Sequence, residues 1–166
     1  MENIQTILAY VAHYGLIFVF FIIFLEYMNF PGLGAAVVLP GIGIATARCN
    51  LNIVLVIVIS IIAGEIASYI LFGISYYFGK TILNKLYNKF PKTQKSINKA
   101  FYYVESYGYK GVLIARMLPV ARTIVPFVSG MFRMNFVKFA MCSIVGVVVW
   151  NSVLIYAGYA FSSYFI

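Results

Sequence analysis

The chain is built from long blocks of apolar residues separated by short polar stretches. A bilayer's hydrocarbon core is about 30 Å thick, so a helix needs roughly 20 apolar residues to cross it. Three blocks reach that length and predict full transmembrane helices: 4–25, 52–79 and 134–160. Two others, 27–47 and 108–131, are apolar but badly built for a straight span. The first carries Pro31, Gly32, Gly34, Pro40, Gly41 and Gly43; the second carries Pro119, Pro126 and Gly130. In a helix interior proline costs about 3 kcal/mol and glycine about 1 kcal/mol. Irregular backbone at membrane depth persists only where protein buries it or a watery cavity meets it. Both blocks are therefore read as re-entrant hairpins, broken at Pro31, Pro40, Pro119 and Pro126, with a kinked ordinary span as the alternative.

Between the two halves lies a different pattern. In residues 81–106, Leu83, Leu86 and Phe90 share one helical face, Pro91 interrupts, and Ile97, Phe101 and Val104 resume the spacing. Lysines fill the other faces, which predicts two short amphipathic helices on an anionic membrane surface. Within 52–79, Ser60, Gly64 and Ser68 recur every four residues and form a small-residue stripe for close helix packing. Sliding the chain along itself superposes Arg48 and Asn50 on Arg133 and Asn135, and Gly73 on Gly158. Hairpin plus span would then occur twice with opposite orientation, an inverted repeat whose site lies at the repeat interface.

Composition sharpens this picture. The 166 residues are 63% hydrophobic and 10% charged, with mean hydropathy +0.96. A soluble domain is about half apolar and a quarter charged, so the reading is one all-α integral membrane domain over 1–166. The net charge of +8 is concentrated. Residues 80–110 hold seven lysines against Glu105 alone. By the positive-inside rule that segment is cytoplasmic. A basic linker tied to a membrane is a poor nucleic-acid module. Glu2 near the start and the lack of a basic leader argue against a cleaved signal peptide. Cys49 and Cys142 fit no metal or disulfide spacing, and neither metal nor cofactor is expected. His13 is the single histidine and is read as a helix-packing residue. No nucleophile and base stand together in the sequence, so an enzyme is not expected.

The informative residues are the ionisable ones inside apolar blocks: Glu26, Glu65, Arg116 and Arg122. A charge at a helix centre costs about 2.5–3.5 kcal/mol on insertion scales. Arg116 and Arg122 bracket Pro119, where the chain is expected to turn. Two guanidinium forks there would suit a phosphate or carboxylate. Glu26 and Glu65 are the matching carboxylates, expected to gate the site or exchange protons. Two buried salt bridges that only fix the fold are the structural alternative.

These residues resemble the DedA family, whose module is also called the VTT or SNARE-associated domain. Leu25-Glu26 followed by Pro31-Gly32 and Gly34 is similar to the family's first hairpin motif. Gly64-Glu65-x3-Tyr69, with Gly73 and Gly79-Lys80, is similar to its second motif. Arg116-x-x-Pro119-x-x-Arg122-x3-Pro126-x3-Gly130 is similar to its most specific signature, and Trp150 with Gly158-Tyr159 resembles its ending. The resemblance implies a bacterial plasma-membrane protein with two facing re-entrant hairpins. It also implies lipid transport: undecaprenyl phosphate recycling, phospholipid flipping or scrambling, and membrane homeostasis linked to the proton-motive force. Its functional acids and arginines map onto Glu26, Glu65, Arg116 and Arg122. One departure stands out: the family's hairpin acid falls at Ala35, and its second proline at Leu33.

The expected function is a flippase or scramblase for a phosphate-bearing lipid, with membrane lipids and protons as partners. The sequence sets no oligomeric state, and a homo-oligomer is compatible with it. The alternatives are a proton-coupled transporter of a small soluble anion or ion, and a scaffold whose charged pairs are structural.

Overall fold

The computed structural model describes the backbone of residues 2–28, 35–89, 94–118 and 121–164. Side chains are described for these except 2–13, 35, 80, 82–89, 94–97, 99–101, 103 and 163–164. Pro31, Leu33, Pro91 and Pro119 therefore lie outside the described residues, as do the side chains of His13 and of the lysines from Lys80 to Lys99. The described residues form six α-helices and no strand: α1 (Glu2–Tyr27), α2 (Ala35–Arg48), α3 (Ile53–Lys89), α4 (Gln94–Arg116), α5 (Ala121–Met131) and α6 (Phe136–Tyr164).

Among the described residues, two helices are long and apolar enough to cross a membrane, α3 over Ile53–Gly79 and α6 over Phe136–Ser162. At about 1.5 Å per residue each exceeds the roughly 30 Å of hydrocarbon. Only 39% and 33% of their most apolar windows are buried, so neither is the core helix of a soluble fold. On α3, Val58, Ile62, Ile66, Ile70 and Ile74 are exposed one helical turn apart. Val137, Met141, Ile144 and Val148 do the same on α6. Apolar stripes of this extent are stable only against lipid or another apolar surface.

The remaining helices are shorter or less apolar. Tyr14–Tyr27 is the apolar part of α1 whose side chains are described. Helices α2 and α5, of 14 and 11 residues, cannot cross alone. Residues Ala121 to Gly130 of α5 are all buried.

The structure departs from the sequence expectations in three places. Pro40 and Pro126 lie inside α2 and α5. The chain does not break at them. Each is the sixth residue of its helix, where a missing amide removes a single early backbone bond and the rest of the helix continues. Next, 81–89 is not a separate surface helix. Helix α3 runs unbroken for 37 residues to Lys89, because nothing between Gly79 and Phe90 stops it. Helix α4 does hold a break, at Gly108 (φ 54°, ψ −124°), a conformation essentially confined to glycine.

The third departure concerns the register of the repeat: Arg133 answers to Asn50 and not to Arg48. Helices α2 and α5 end at Arg48 and Met131. Each end is followed by a left-handed residue, Asn50 (φ 50°) and Arg133 (φ 51°). The next amides reach back to seal each helix end, Leu51 N to Thr46 O at 3.0 Å and Met134 N to Ser129 O at 3.1 Å. This is the Schellman closure. Asparagines then cap the following helices, Asn52 Oδ1 accepting from Val54 N at 2.9 Å and Asn135 Oδ1 from Lys138 N at 3.2 Å. Helices α3 and α6 start immediately after these caps, at Ile53 and Phe136, so the same register holds through the turn and into the span.

The chain forms two compact units, one of Met1–Gly64 with Val149–Ile166 and one of Glu65–Val148. In the first, α1 packs on α2, and α2 closely approaches the C-terminal part of α6. A Cβ on Gly43 would collide with the Ile155 carbonyl and sit 2.7 Å from the Tyr159 amide nitrogen. In the second, α4 packs on α5 around Phe72, Val104, Val112, Val125, Val128 and Phe139. A Cβ on Gly130 would collide with the Phe72 carbonyl and sit 3.1 Å from the Tyr76 amide nitrogen. In the register that pairs Asn50 with Arg133, Phe72 pairs with Ile155 and Tyr76 with Tyr159. Both units therefore press a short-helix glycine on equivalent long-helix positions, although Gly43 itself pairs with Pro126 and Gly130 with Ala47, a one-turn offset along the short helix.

That contact predicts a contrast within α2. Gly43→Ala should lower stability by about 1–3 kcal/mol through overpacking against backbone. Gly41→Ala, two residues away with nothing within 4 Å of the added carbon, should be neutral or stabilising by up to about 1 kcal/mol. Thermal unfolding of the two variants in detergent measures the difference.

Candidate functional site

Two buried polar clusters form where small polar residues break the apolar helices. The first lies in the first unit and carries no charge. The Tyr27 hydroxyl donates to Asn151 Oδ1 at 2.9 Å. Asn151 Nδ2 donates to the carbonyl and hydroxyl of Ser60, both at 3.2 Å. The Tyr27 ring lies against Gly64, where a Cβ would stand 3.0 Å from its Cζ. Two members of the small-residue stripe thus serve a tyrosine and an asparagine.

The second cluster lies in the second unit and is charged. Glu65 stands on α3, Arg116 ends α4, and Ser143 stands on α6. Arg116 Nη2 donates to Ser143 Oγ at 2.6 Å. The serine hydroxyl faces both Glu65 oxygens, at 2.8 and 2.9 Å, and one hydrogen serves them. All three side chains are buried: Arg116 1%, Glu65 6% and Ser143 0% exposed. Tyr69, one turn beyond Glu65, hydrogen-bonds the same carboxylate, and the Arg116 charge acts on it. The Arg116 stem crosses Gly146, where a Cβ would stand 2.7 Å from the arginine's own Cβ. Its guanidinium lies 5.7 Å from the centre of the Phe139 ring, within cation–π range. As the last residue of α4, Arg116 also meets the negative end of that helix.

Of the four expected charges, the structure brings Glu65 and Arg116 together. Arg122 is in the same unit, buried at 1% exposure as the second residue of α5. Its amide bonds back to the Leu118 carbonyl at 3.0 Å. Glu26, 3% exposed, belongs to the first unit. Sequence reasoning misses Ser143. Its signal is present: a hydroxyl within an apolar span, about two helical turns before Asn151. Asn151 itself is visible in the sequence as a polar residue in a span, but nothing there gives it a role. Among the described residues no group of three or more histidine, cysteine, aspartate or glutamate side chains could hold a metal.

The Ser143 bridge predicts a measurable coupling. Ser143→Ala leaves buried groups short of a partner and should cost about 1–3 kcal/mol. Combined with Glu65→Gln, the losses should fall short of additive, because both changes cut one network. Detergent unfolding of the two single variants and the double variant reads this directly.

The comparisons with known proteins place the chain in a family. The VTT domain matches residues 30–160. Protein DedA of Escherichia coli (strain K12) is 30% identical over 161 residues, covering 92% of this chain and 73% of that protein. Undecaprenyl phosphate transporter A of Staphylococcus aureus (strain NCTC 8325 / PS 47) is 28% identical over 165 residues, covering 97% and 81%. The protein of the same name in Bacillus subtilis (strain 168) is 30% identical over 103 residues, covering 61% and 52%. No solved structure matches the chain. With its domain match covering both short helices and both spans, the chain belongs to the DedA family of VTT-domain membrane proteins.

Proposed function

We propose that this chain is a lipid translocase that carries a phosphate-bearing lipid, such as undecaprenyl phosphate or a phospholipid, across the plasma membrane. The carrying observation is the buried Arg116–Ser143–Glu65 cluster on helices whose outer faces are apolar and exposed. A guanidinium held at membrane depth is costly unless it is used, and its planar fork suits a phosphate. Two relatives carry undecaprenyl phosphate transporter in their names, which supports the substrate class and a non-enzymatic role.

In this reading the segments 27–47 and 108–131 are the two re-entrant hairpins, arranged as an inverted repeat with α3 and α6 as the spans that follow them. The basic segment 80–110 faces the cytoplasm. Arg116 and Arg122 hold the phosphate. Arg122 stands at the start of α5, where the positive helix end and its leading amides reinforce the pull on an anion. Glu65 competes with the phosphate for Arg116 through Ser143, so its protonation would release the guanidinium to the substrate. Glu26 plays the matching part in the other half. Ala35 replaces the family's hairpin acid, which leaves two carboxylates to couple protons.

Proteoliposomes test the reading. Labelled undecaprenyl phosphate and labelled phosphatidylglycerol report lipid crossing, and entrapped inorganic phosphate reports soluble-anion transport. Lipid crossing should be protein-dependent and fall at least tenfold in Arg116→Ala, Arg122→Ala and Glu65→Gln, about 1.4 kcal/mol or more of lost interaction. Arg116→Lys should keep the fold and part of the rate. Phosphate efflux without lipid crossing would replace this reading with the small-anion transporter. Variants that all transport at the wild-type rate would leave the charges structural.

A further inference from the structure

The second unit holds a groove of about 490 Å³ that the charged cluster does not use. Tyr69, Phe72, Tyr76, Arg133 and Phe136 are among its lining residues. It runs along the last turns of the α3 span, which ends at Gly79, and beside the start of the α6 span at Phe136. It therefore opens at one boundary of the membrane. Tyr69 forms its inner end and hydrogen-bonds Glu65, so the groove ends at the charged cluster.

Cation and ring contacts line the route. Arg133 lies 5.5 Å from the centre of the Tyr76 ring. Tyr76 stacks on Phe72 at 6.3 Å, and Phe72 stacks on Phe139 at 4.7 Å. Phe139 lies 5.7 Å from the Arg116 guanidinium. A ladder of aromatic rings thus joins an exposed arginine at the boundary to a buried one at membrane depth. Among the described residues that line the groove, none is acidic.

The backbone adds an independent observation. Arg133 sits in the left-handed region at φ 51°, which costs a residue with an ordinary side chain about 1–2 kcal/mol. Asparagine or glycine is favoured there, and the equivalent turn of the first half uses Asn50. The turn therefore has no need of arginine. The contact the guanidinium makes is with the Tyr76 ring in the groove.

We propose that this groove is the entry vestibule for the lipid's phosphate headgroup, with Arg133 as the residue that captures it and Tyr69 as the gate to the charged cluster. The proposal rests on the translocase reading. The headgroup arrives in the plane of the membrane, binds Arg133, and moves along the groove past Tyr76 and Phe136 toward Tyr69 while its tail stays in lipid. Tyr69 must leave Glu65 for the phosphate to reach Arg116. The conservative replacement is supplied by the repeat itself: Arg133→Asn restores the residue that the same turn accepts in the first half.

The test uses the full chain in detergent and in proteoliposomes, with short-chain phosphatidic acid and inorganic phosphate as probes. Arg133→Asn should melt at or above the wild-type temperature. It should bind phosphatidic acid at least tenfold more weakly, and raise the KM for its transport tenfold with kcat unchanged. Millimolar inorganic phosphate should not displace the lipid. Wild-type affinity and KM in Arg133→Asn would overturn the vestibule, and lipid transport by the wild-type chain would show that the translocase reading survives it. Equal binding of inorganic phosphate, lost in the variant, would overturn the lipid as the occupant. A wild-type chain that binds phosphatidic acid but moves no lipid would sink the translocase reading, and the vestibule with it.

Discussion

One hydroxyl group carries an unusual burden in this protein. Ser143 accepts from Arg116 and donates to Glu65, and so holds two opposite charges in helices whose outer faces meet hydrocarbon. A buried ion pair stabilises a fold only when its remaining hydrogen-bonding capacity is met, because desolvation otherwise exceeds the Coulombic gain. The serine meets part of that demand from each side. Phe139 lies over the guanidinium, and Gly146 makes room for the arginine stem. The spacing of Phe139, Ser143 and Gly146 on α6 follows from helical geometry: residues three and four apart share a face. Charge at depth thus depends on small and polar residues in a span that otherwise reads as plain hydrophobe.

The repeat shows how such a site can arise. Ser60 and Ser143 occupy equivalent positions in the register that pairs Asn50 with Arg133, and both are buried. Ser60 meets the amide of Asn151, itself held by Tyr27. Ser143 meets a guanidinium and a carboxylate. The same scaffold position therefore supports a neutral network in one unit and a charged one in the other. The neutral network needs no counter-charge and ties α1, α3 and α6 together within the first unit. The charged one trades that economy for a group that can recognise an anion.

Much of this is legible in the sequence, and the failures have definite causes. The apolar blocks announce the spans because hydrocarbon thickness fixes their length. Glu65 and Arg116 stand out because charge is so expensive in such blocks. Pro40 and Pro126 mislead because proline is disruptive only where the bond it removes cannot be spared, and early in a short helix it can. A repeat register drawn from matching letters goes astray because Asn50 and Arg133 share a backbone conformation and no chemistry, so identity cannot align them. Ser143 escapes notice because a serine in a span usually bonds its own backbone, and only the fold reveals that its hydroxyl faces a carboxylate.

The placement of the two arginines carries the last step. Arg116 ends α4, where exposed carbonyls and the helix dipole favour a positive charge. Arg122 is the second residue of α5, where the positive end of the helix dipole disfavours a second positive charge. The first arginine is stabilised by its own helix dipole; the second is opposed by its own. In the proposed translocase, a phosphate reaching both arginines would offset that opposition while drawing Arg116 from Ser143. Substrate binding in that translocase would then loosen the Ser143 bridge, one of the contacts that hold Glu65 in place. In the proposed translocase, recognition by Arg116 would thus be felt at Glu65 through the Ser143 hydroxyl.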